Sequence, residues 1–364
     1  MRRYITILAL ALVGLSVASQ VHAKKQRAKK KIPEKESSAQ MEAAAQLQIF
    51  LDRSNFGPGK IDGQYNEFTW KALALFRESR GEPPPALPSK TKDTPPDLNG
   101  LDLNSVQSVF NTYVVSGEDL QNAAKLPSSP KEQAKLKVLL YRDTADAIAE
   151  KFHCDVRFLE KLNPGKTKAI KAGDELRVPN VEPFEWGTVK DLKPGSEINT
   201  PAANELEDEP DKSPEPSQSS TASATASPTS MPSVKIDTKT NMLSVSEADK
   251  VVVAYPVTIG SIQTASPVGE WRVRGISKMP RFRWDEQMLK HGERSGHFYM
   301  LPPGPRSPVG VLWIALNKKG IGIHGTSTPD TIGHSASHGC IRLANWDVVR
   351  LAERVKVGTP VSIQ

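Results

Sequence analysis

Cys340 is one of two cysteines in the 364-residue chain, and it stands in the run Ile321 to Leu343, which also holds three of the seven histidines. His338 lies two residues before it and His324 sixteen before. Attack on a carbonyl carbon needs a thiolate, and an ordinary thiol is only a few per cent ionised at neutral pH. A histidine partner raises that fraction, and it can also protonate a leaving amine and deprotonate an attacking one. Gly339 lets the chain turn tightly, so that backbone N–H groups at Gly339 and Cys340 can face a developing oxyanion. Arg342 suits a bidentate clamp on a carboxylate. These types and spacings make a candidate Cys-His acyl-transfer site. Two other readings stay open on the same residues. One is a zinc site of His324, His334, His338 and Cys340, although the spacing matches no common zinc signature. The other is a set of structural histidines beside an inert cysteine.

The elements around these residues must bring together side chains distant in sequence. Gly322, Gly325, Gly333 and Gly339 interrupt the run, which excludes one continuous helix. The preceding residues, Gly310 to Gly325, read as a strand, a turn at Lys318-Lys319-Gly320 and a short second strand that delivers His324. The chain then loops back and delivers Ser337-His338-Gly339-Cys340 from another direction.

His324-Gly325-Thr326, Gly333 and Ser337-His338-Gly339-Cys340-Ile341-Arg342-Leu343 together resemble the signature of the L,D-transpeptidase catalytic domain of the YkuD type. Further upstream, Ser266-Pro267-Val268-Gly269 stands where that family has a Thr-Pro-x-Gly stretch. Ser307-Pro308-Val309-Gly310 stands where it has Asn-Pro-x-Gly. The resemblance covers about 130 residues, 233 to 363. It implies a mostly-β catalytic domain that crosslinks peptidoglycan stem peptides through a cysteine thioester, with transfer to an amine acceptor. Cys340 falls on the nucleophile, His324 on the base and Arg342 on the arginine after the cysteine, with His338 and Ser337 in auxiliary positions. His334 lies outside the motif and reads as a loop histidine at the rim. The resemblance implies no metal and no organic cofactor. Hydrolysis of the thioester would make the same residues an L,D-carboxypeptidase. A wall-binding adaptor without catalysis is the contrasting class, and the intact Cys340, His324 and Gly339 argue against it.

Composition bounds partners and compartment. The net charge of +7, from 48 Lys and Arg against 41 Asp and Glu, is uneven. Lys24, Lys25, Arg27, Lys29, Lys30, Lys31 and Lys35 crowd into one tail. The chain has no basic–aromatic interleaving suited to stacked bases, so nucleic acid is not an expected partner. The tail would suit weak contact with anionic lipid or an anionic wall polymer. Arg2 and Arg3, the apolar run Ile5 to Ala18 and the small residues around Val21-His22-Ala23 read as a signal peptide over 1–23, hence export to the periplasm or cell envelope. Two cysteines make no disulfide framework. Cys154 reads as a small core residue, and no Cys154–Cys340 bridge is expected.

The chain reads as multidomain. After the basic tail, 24–40, residues 41–80 read as two or three short helices around one small core. Gly59, Ile61-Asp62-Gly63, Thr69, Ala72 and Phe76 resemble the peptidoglycan-binding domain type 1. Residues 81–98 are a proline-rich linker, and in 99–136 a short helix through Leu101, Leu103, Val106, Val109 and Phe110 is expected. Residues 137–181 read as β-α-α-β, from a strand at Leu139 to Tyr141 to one ending at Pro179. This order resembles a LysM module, which implies binding of peptidoglycan glycan. Residues 197–232, acidic and then rich in Ser, Thr, Ala and Pro, read as a disordered tether, and 233–364 as the catalytic domain. Residues 279–301 have no clear period and read either as a surface loop or as a lid on the cleft, with Arg283, Trp284 and Tyr299 as contacts.

Overall fold

The computed structural model describes residues 34–192, 231–261, 264–333, 337 and 339–364. The expected signal peptide, residues 24–33 of the basic tail, residues 197–230 of the tether, His334 and His338 lie outside the described residues. Among the described residues no helix is long and apolar enough to cross a membrane.

The N-terminal half opens with helix α1, Glu34–Arg53, which starts within the stretch read as tail. Its buried Leu47, Phe50 and Leu51 pack with Trp70 and Leu73 of α2, Glu67–Ser79. Asn66 caps α2 by accepting from Thr69 N at 2.9 Å, which satisfies an otherwise orphaned helix N–H. Between the helices the Ile61-Asp62-Gly63 turn is tied to α1. The buried Gln48 accepts from Asp62 N and Gly63 N at 3.1 and 3.0 Å.

The next elements differ from the expected ones. No helix runs through Leu101 to Phe110, where only Leu103–Ser105 forms a 3-10 turn. Phe110–Val114 is instead a strand, β1, antiparallel to β2, Glu175–Pro179. Aromatic and β-branched residues fit a strand, and the partner that pairs with them is more than sixty residues away, beyond local pattern. The expected strand at Leu139 to Tyr141 shrinks to a single bridge from Tyr141 to Ala123. Between β1 and β2 lie α3 (Gly117–Gln121), α4 (Pro130–Gln133), α5 (Thr144–Lys151) and α6 (Val156–Leu162). The paired strands β1 and β2 therefore enclose four helices in place of the two of the expected β-α-α-β order, with α5 and α6 lying where those two were expected.

The C-terminal half is built on an eight-stranded sheet. Its strands are β3 (Ser233–Asp237), β4 (Met242–Glu247), β5 (Lys250–Pro256), β6 (Gly269–Lys278), β9 (Leu312–Leu316), β10 (Gly322–His324), β11 (Ile341–Arg342) and β12 (Pro360–Ile363). The spatial order is β11-β10-β9-β6-β12-β3-β4-β5, with β12–β3 and β10–β11 parallel and the other pairs antiparallel. Helix α8, Asn345–Ala352, packs Trp346, Val348 and Leu351 into its core. Residues 279–301 form a small hairpin, β7 (Phe282–Trp284) and β8 (Tyr299–Leu301), with α7, Glu286–His291, between them.

The halves share their packing. Met242 and Ala254 of the sheet belong to the N-terminal core, while Phe184 and Val189 belong to the C-terminal one. Gly57 N donates to Ala254 O at 2.7 Å and Ala254 N to Asn55 O at 3.0 Å, which covers the β5 edge that would otherwise stand open. The fully buried Asp52 of α1 pairs with Arg350 of α8 and with His153, whose ring stacks on Trp346. Arg306 reaches from the sheet side into α5, pairing with Asp146 and Glu150 at 2.7 and 2.5 Å.

Candidate active site

The hairpin β9–β10 is the base of the site. Its register sets His324 directly opposite Trp313, and β11 lies parallel on the other side with Arg342 level with His324. Side chains alternate along a strand, so Cys340, two residues before Arg342, shares its face. Trp313, His324, Arg342 and Cys340 therefore meet on one face, and all four line one cavity of about 280 Å³. The expected strand-turn-strand delivery of His324 is what the structure has. The return of the chain to Cys340 follows Thr258, whose N–H donates to Arg342 O and whose carbonyl accepts from Arg342 N, both at 2.9 Å.

His324 is buried and stacked on Trp313, with ring centroids 5.0 Å apart. Its Nδ1 lies 2.6 Å from Gly325 O. A carbonyl oxygen only accepts, so Nδ1 carries the proton and the lone pair is on Nε2. Burial, and then the nearby Arg342 charge, push the imidazole down to about 3, so it is neutral at pH 7. Cys340 is half-buried, and its Sγ–H donates to Gly320 O at 3.4 Å. Burial pushes its thiol up to about 11, against an opposing Gly322 N–H and Arg342 charge. A thiolate stabilised by its histidine, the expectation from residue types, is thus not the resting state. Withdrawal from water disfavours both charges, and the resting pair is thiol and neutral imidazole. Iodoacetamide alkylation of Cys340 is accordingly expected to climb about tenfold per pH unit from pH 6 to beyond 9, following the thiolate fraction. A plateau starting near pH 5, measured by peptide mass spectrometry, would instead mean a preformed ion pair.

Gly339 has φ +103°, a left-handed conformation that L side chains rarely adopt. The buried Ser337 braces this turn by donating to Cys340 O at 2.5 Å and accepting from Gly339 N at 3.2 Å. Ser337 also lines the cavity. Its position is structural support for the cysteine loop as much as cavity wall. Gly325 sits beneath His324, and a Cβ there would fall 2.2 Å from Asn345 Oδ1. Gly325→Ala is expected to destabilise the chain by about 1–3 kcal/mol through overpacking, read by urea unfolding.

The hairpin of residues 279–301 lines the cavity with Phe282, Arg283, Trp284, Met288 and Leu289, which supports the lid reading. Tyr299 is exposed and is not among the lining residues. Arg283 donates to Ser295 O and lies over the Phe298 ring, which fastens the hairpin across its width. Trp313 was not anticipated, although counting back across the turn from His324 places it opposite. Among the described residues no cluster of three or more His, Cys, Asp and Glu could hold a metal ion, while His334 and His338 of the zinc reading lie outside them. Cys154 is buried in the N-terminal core, where burial holds its thiol far above the usual range.

Known proteins carry the same domain. The profile of the L,D-transpeptidase catalytic domain, YkuD, matches residues 232–363. The chain is 33% identical over 135 residues to the putative L,D-transpeptidase YqjB of Bacillus subtilis, an alignment covering 36% of this chain and 69% of that protein. It is 34% identical over 131 residues to the putative L,D-transpeptidase YkuD of Bacillus subtilis, covering 36% of this chain and 63% of that protein. A solved L,D-transpeptidase from Mycobacterium smegmatis is 21% identical, with TM-score 0.30, over 36% of this chain and 58% of that one. The chain belongs to the L,D-transpeptidase family. It spans 64% and 63% of the length of the YkuD proteins of Bacillus licheniformis and Bacillus subtilis.

Proposed function

We propose that the protein is an exported, cysteine-dependent peptidoglycan L,D-transpeptidase. The observation that carries this is the convergence of Cys340, His324 and Arg342 on one face of β10 and β11, inside one lidded cavity. Cys340 Sγ attacks the carbonyl carbon at the L-centre of the diamino acid in a tetrapeptide stem. Nε2 of His324 takes the thiol proton, and the backbone N–H of Cys340 faces the oxyanion, whereas the N–H of Gly339, also expected there from the sequence, is taken up by Ser337 Oγ. The C–N bond to the terminal D-residue breaks, and His324 returns the proton to the leaving amine. An acceptor amine then attacks the thioester, loses its proton to His324 and releases the thiol. Arg342 anchors a substrate carboxylate. Trp284 and Phe282 of the hairpin supply apolar wall and exclude water, which favours the amine over hydrolysis.

The N-terminal half holds a peptidoglycan-binding-like helical pair and a LysM-like unit, and in this reading it engages wall peptide and glycan. With the first strand at Phe110–Val114, the stretch that follows it is Ser116-Gly117-Glu118-Asp119, in which Ser116 caps α3 and Asp119 closes the capping box. The deciding experiment is intact mass after incubation with a disaccharide-tetrapeptide, alone and with an amine acceptor. A transient Cys340 adduct, absent from Cys340→Ala, followed by a crosslinked dimer is expected. Released tripeptide without dimer would make the protein a carboxypeptidase on that substrate. No adduct and no product from folded protein would leave the adaptor class.

A further inference from the structure

One polar cluster in the molecule is used by neither the cleft nor a single core. Asn345, the first residue of α8, is 1% exposed. Its Nδ2 donates to Glu150 Oε1 at 2.7 Å, Pro305 O at 3.1 Å and Thr326 O at 3.2 Å. Its Oδ1 accepts from Val311 N at 3.2 Å and lies against Gly310 and Gly325. Glu150 comes from α5 in the N-terminal half, and its other oxygen pairs with Arg306 at 2.5 Å.

An amide can face either way, and here the neighbours choose. A carboxylate is the strongest acceptor in reach, and a bond to it is roughly twice as strong as a neutral one. Turning the amide over would set Oδ1 against Glu150 and the NH₂ against Val311 N. Glu150 makes the shortest bond and is the charged one of the four groups that set which way Asn345 faces, beside Val311 N and the carbonyls of Pro305 and Thr326, and Asn345 in turn holds the Gly325–Thr326 turn through Thr326 O. The carbonyl of Gly325 is the acceptor that holds His324 Nδ1.

We propose that Glu150 is a positioning residue for the acyl-transfer site. It acts from the N-terminal half through Asn345 on the turn that orients His324. The docked module then completes the catalytic domain as well as carrying it. This rests on the reading of Cys340 and His324 as nucleophile and base.

Glu150→Gln is the selective variant. It keeps the volume, and its single oxygen is drawn to the Arg306 cation, which turns an NH₂ toward the NH₂ of Asn345. In the full chain, Cys340 adduct formation with the disaccharide-tetrapeptide is expected to slow about tenfold at saturating substrate. The half-saturating concentration should stay within about twofold, as for loss of alignment rather than binding. In protein labelled with ¹⁵N-histidine, the His324 Nδ1–H should exchange with solvent about tenfold faster, with its resonance identified from His324→Ala. Asn345→Ser should show the same two changes, and the double variant no further fall, because both residues act through one path. Wild-type behaviour of folded Glu150→Gln in rate and exchange would overturn the proposal. So would a double variant whose loss is the product of the single losses. Should wild type form no adduct, the functional reading fails, and the Nδ1–H exchange alone still decides the positioning role.

Discussion

His324→Ala is expected to slow Cys340 adduct formation on a tetrapeptide stem by about 10³-fold, within the usual range for general acid–base catalysis. Its alkylation by iodoacetamide should change little. The two reactions separate because the resting thiol and imidazole are both neutral, near 11 and near 3. Iodoacetamide draws on the small thiolate fraction, which His324 does not supply. The stem peptide needs its leaving amine protonated and the thiol proton taken in the transition state, and both transfers pass through Nε2. The sign with pH follows. Between about pH 5 and 9 His324 stays neutral and fit to act as base, so adduct formation should be nearly flat while alkylation climbs. Rapid mixing with intact-mass detection measures the first rate and peptide mapping the second. A His324→Ala protein within about fivefold of wild type on the stem peptide would move the base elsewhere, with His338 the next residue to replace.

Arg306→Ala is expected to destabilise the whole chain by about 3–5 kcal/mol, the usual effect of removing one partner from a buried ion pair. Arg306 has a side chain only 3% exposed and carries bonds to Asp146 at 2.9 and 2.7 Å and to Glu150 at 2.5 Å. Its removal leaves the buried carboxylates of Asp146 and Glu150 facing less positive charge. Arg142 is the internal control. It pairs with the same Asp146 at 2.9 Å but is 54% exposed, so Arg142→Ala should cost under about 1 kcal/mol. Urea unfolding of both variants measures the difference. Equal small losses would mean that α5 and the sheet do not stay docked in solution, and that the N-terminal half swings free on the tether.

How far the site could be read from residue order depends on how local each contact is. The hairpin that carries His324 was legible because two short apolar runs flank a Lys-Lys-Gly turn. The cysteine loop was legible because glycines and Ser337 crowd beside Cys340. Modules were harder. Leu139 to Tyr141 is apolar enough for a strand, but the strand that pairs with Glu175–Pro179 is Phe110–Val114. No period of the sequence announces a partner that distant. The stretch 279–301 lacked a period because its elements are three to six residues long, too short for one to repeat.

Residue types and spacing were enough to propose the chemistry: a thiol, a histidine, a tight glycine turn and an arginine, with strands to carry them. Their protonation states were not in that list, because burial sets them. The same is true of Glu150, Asn345 and Arg306, which are ordinary polar residues up to 195 positions apart. They matter because folding removes water from between them, and a buried polar group must then find its partner in the protein. Which group that partner is depends on how two halves of the chain pack. Packing, unlike periodicity, leaves no mark on neighbouring residues.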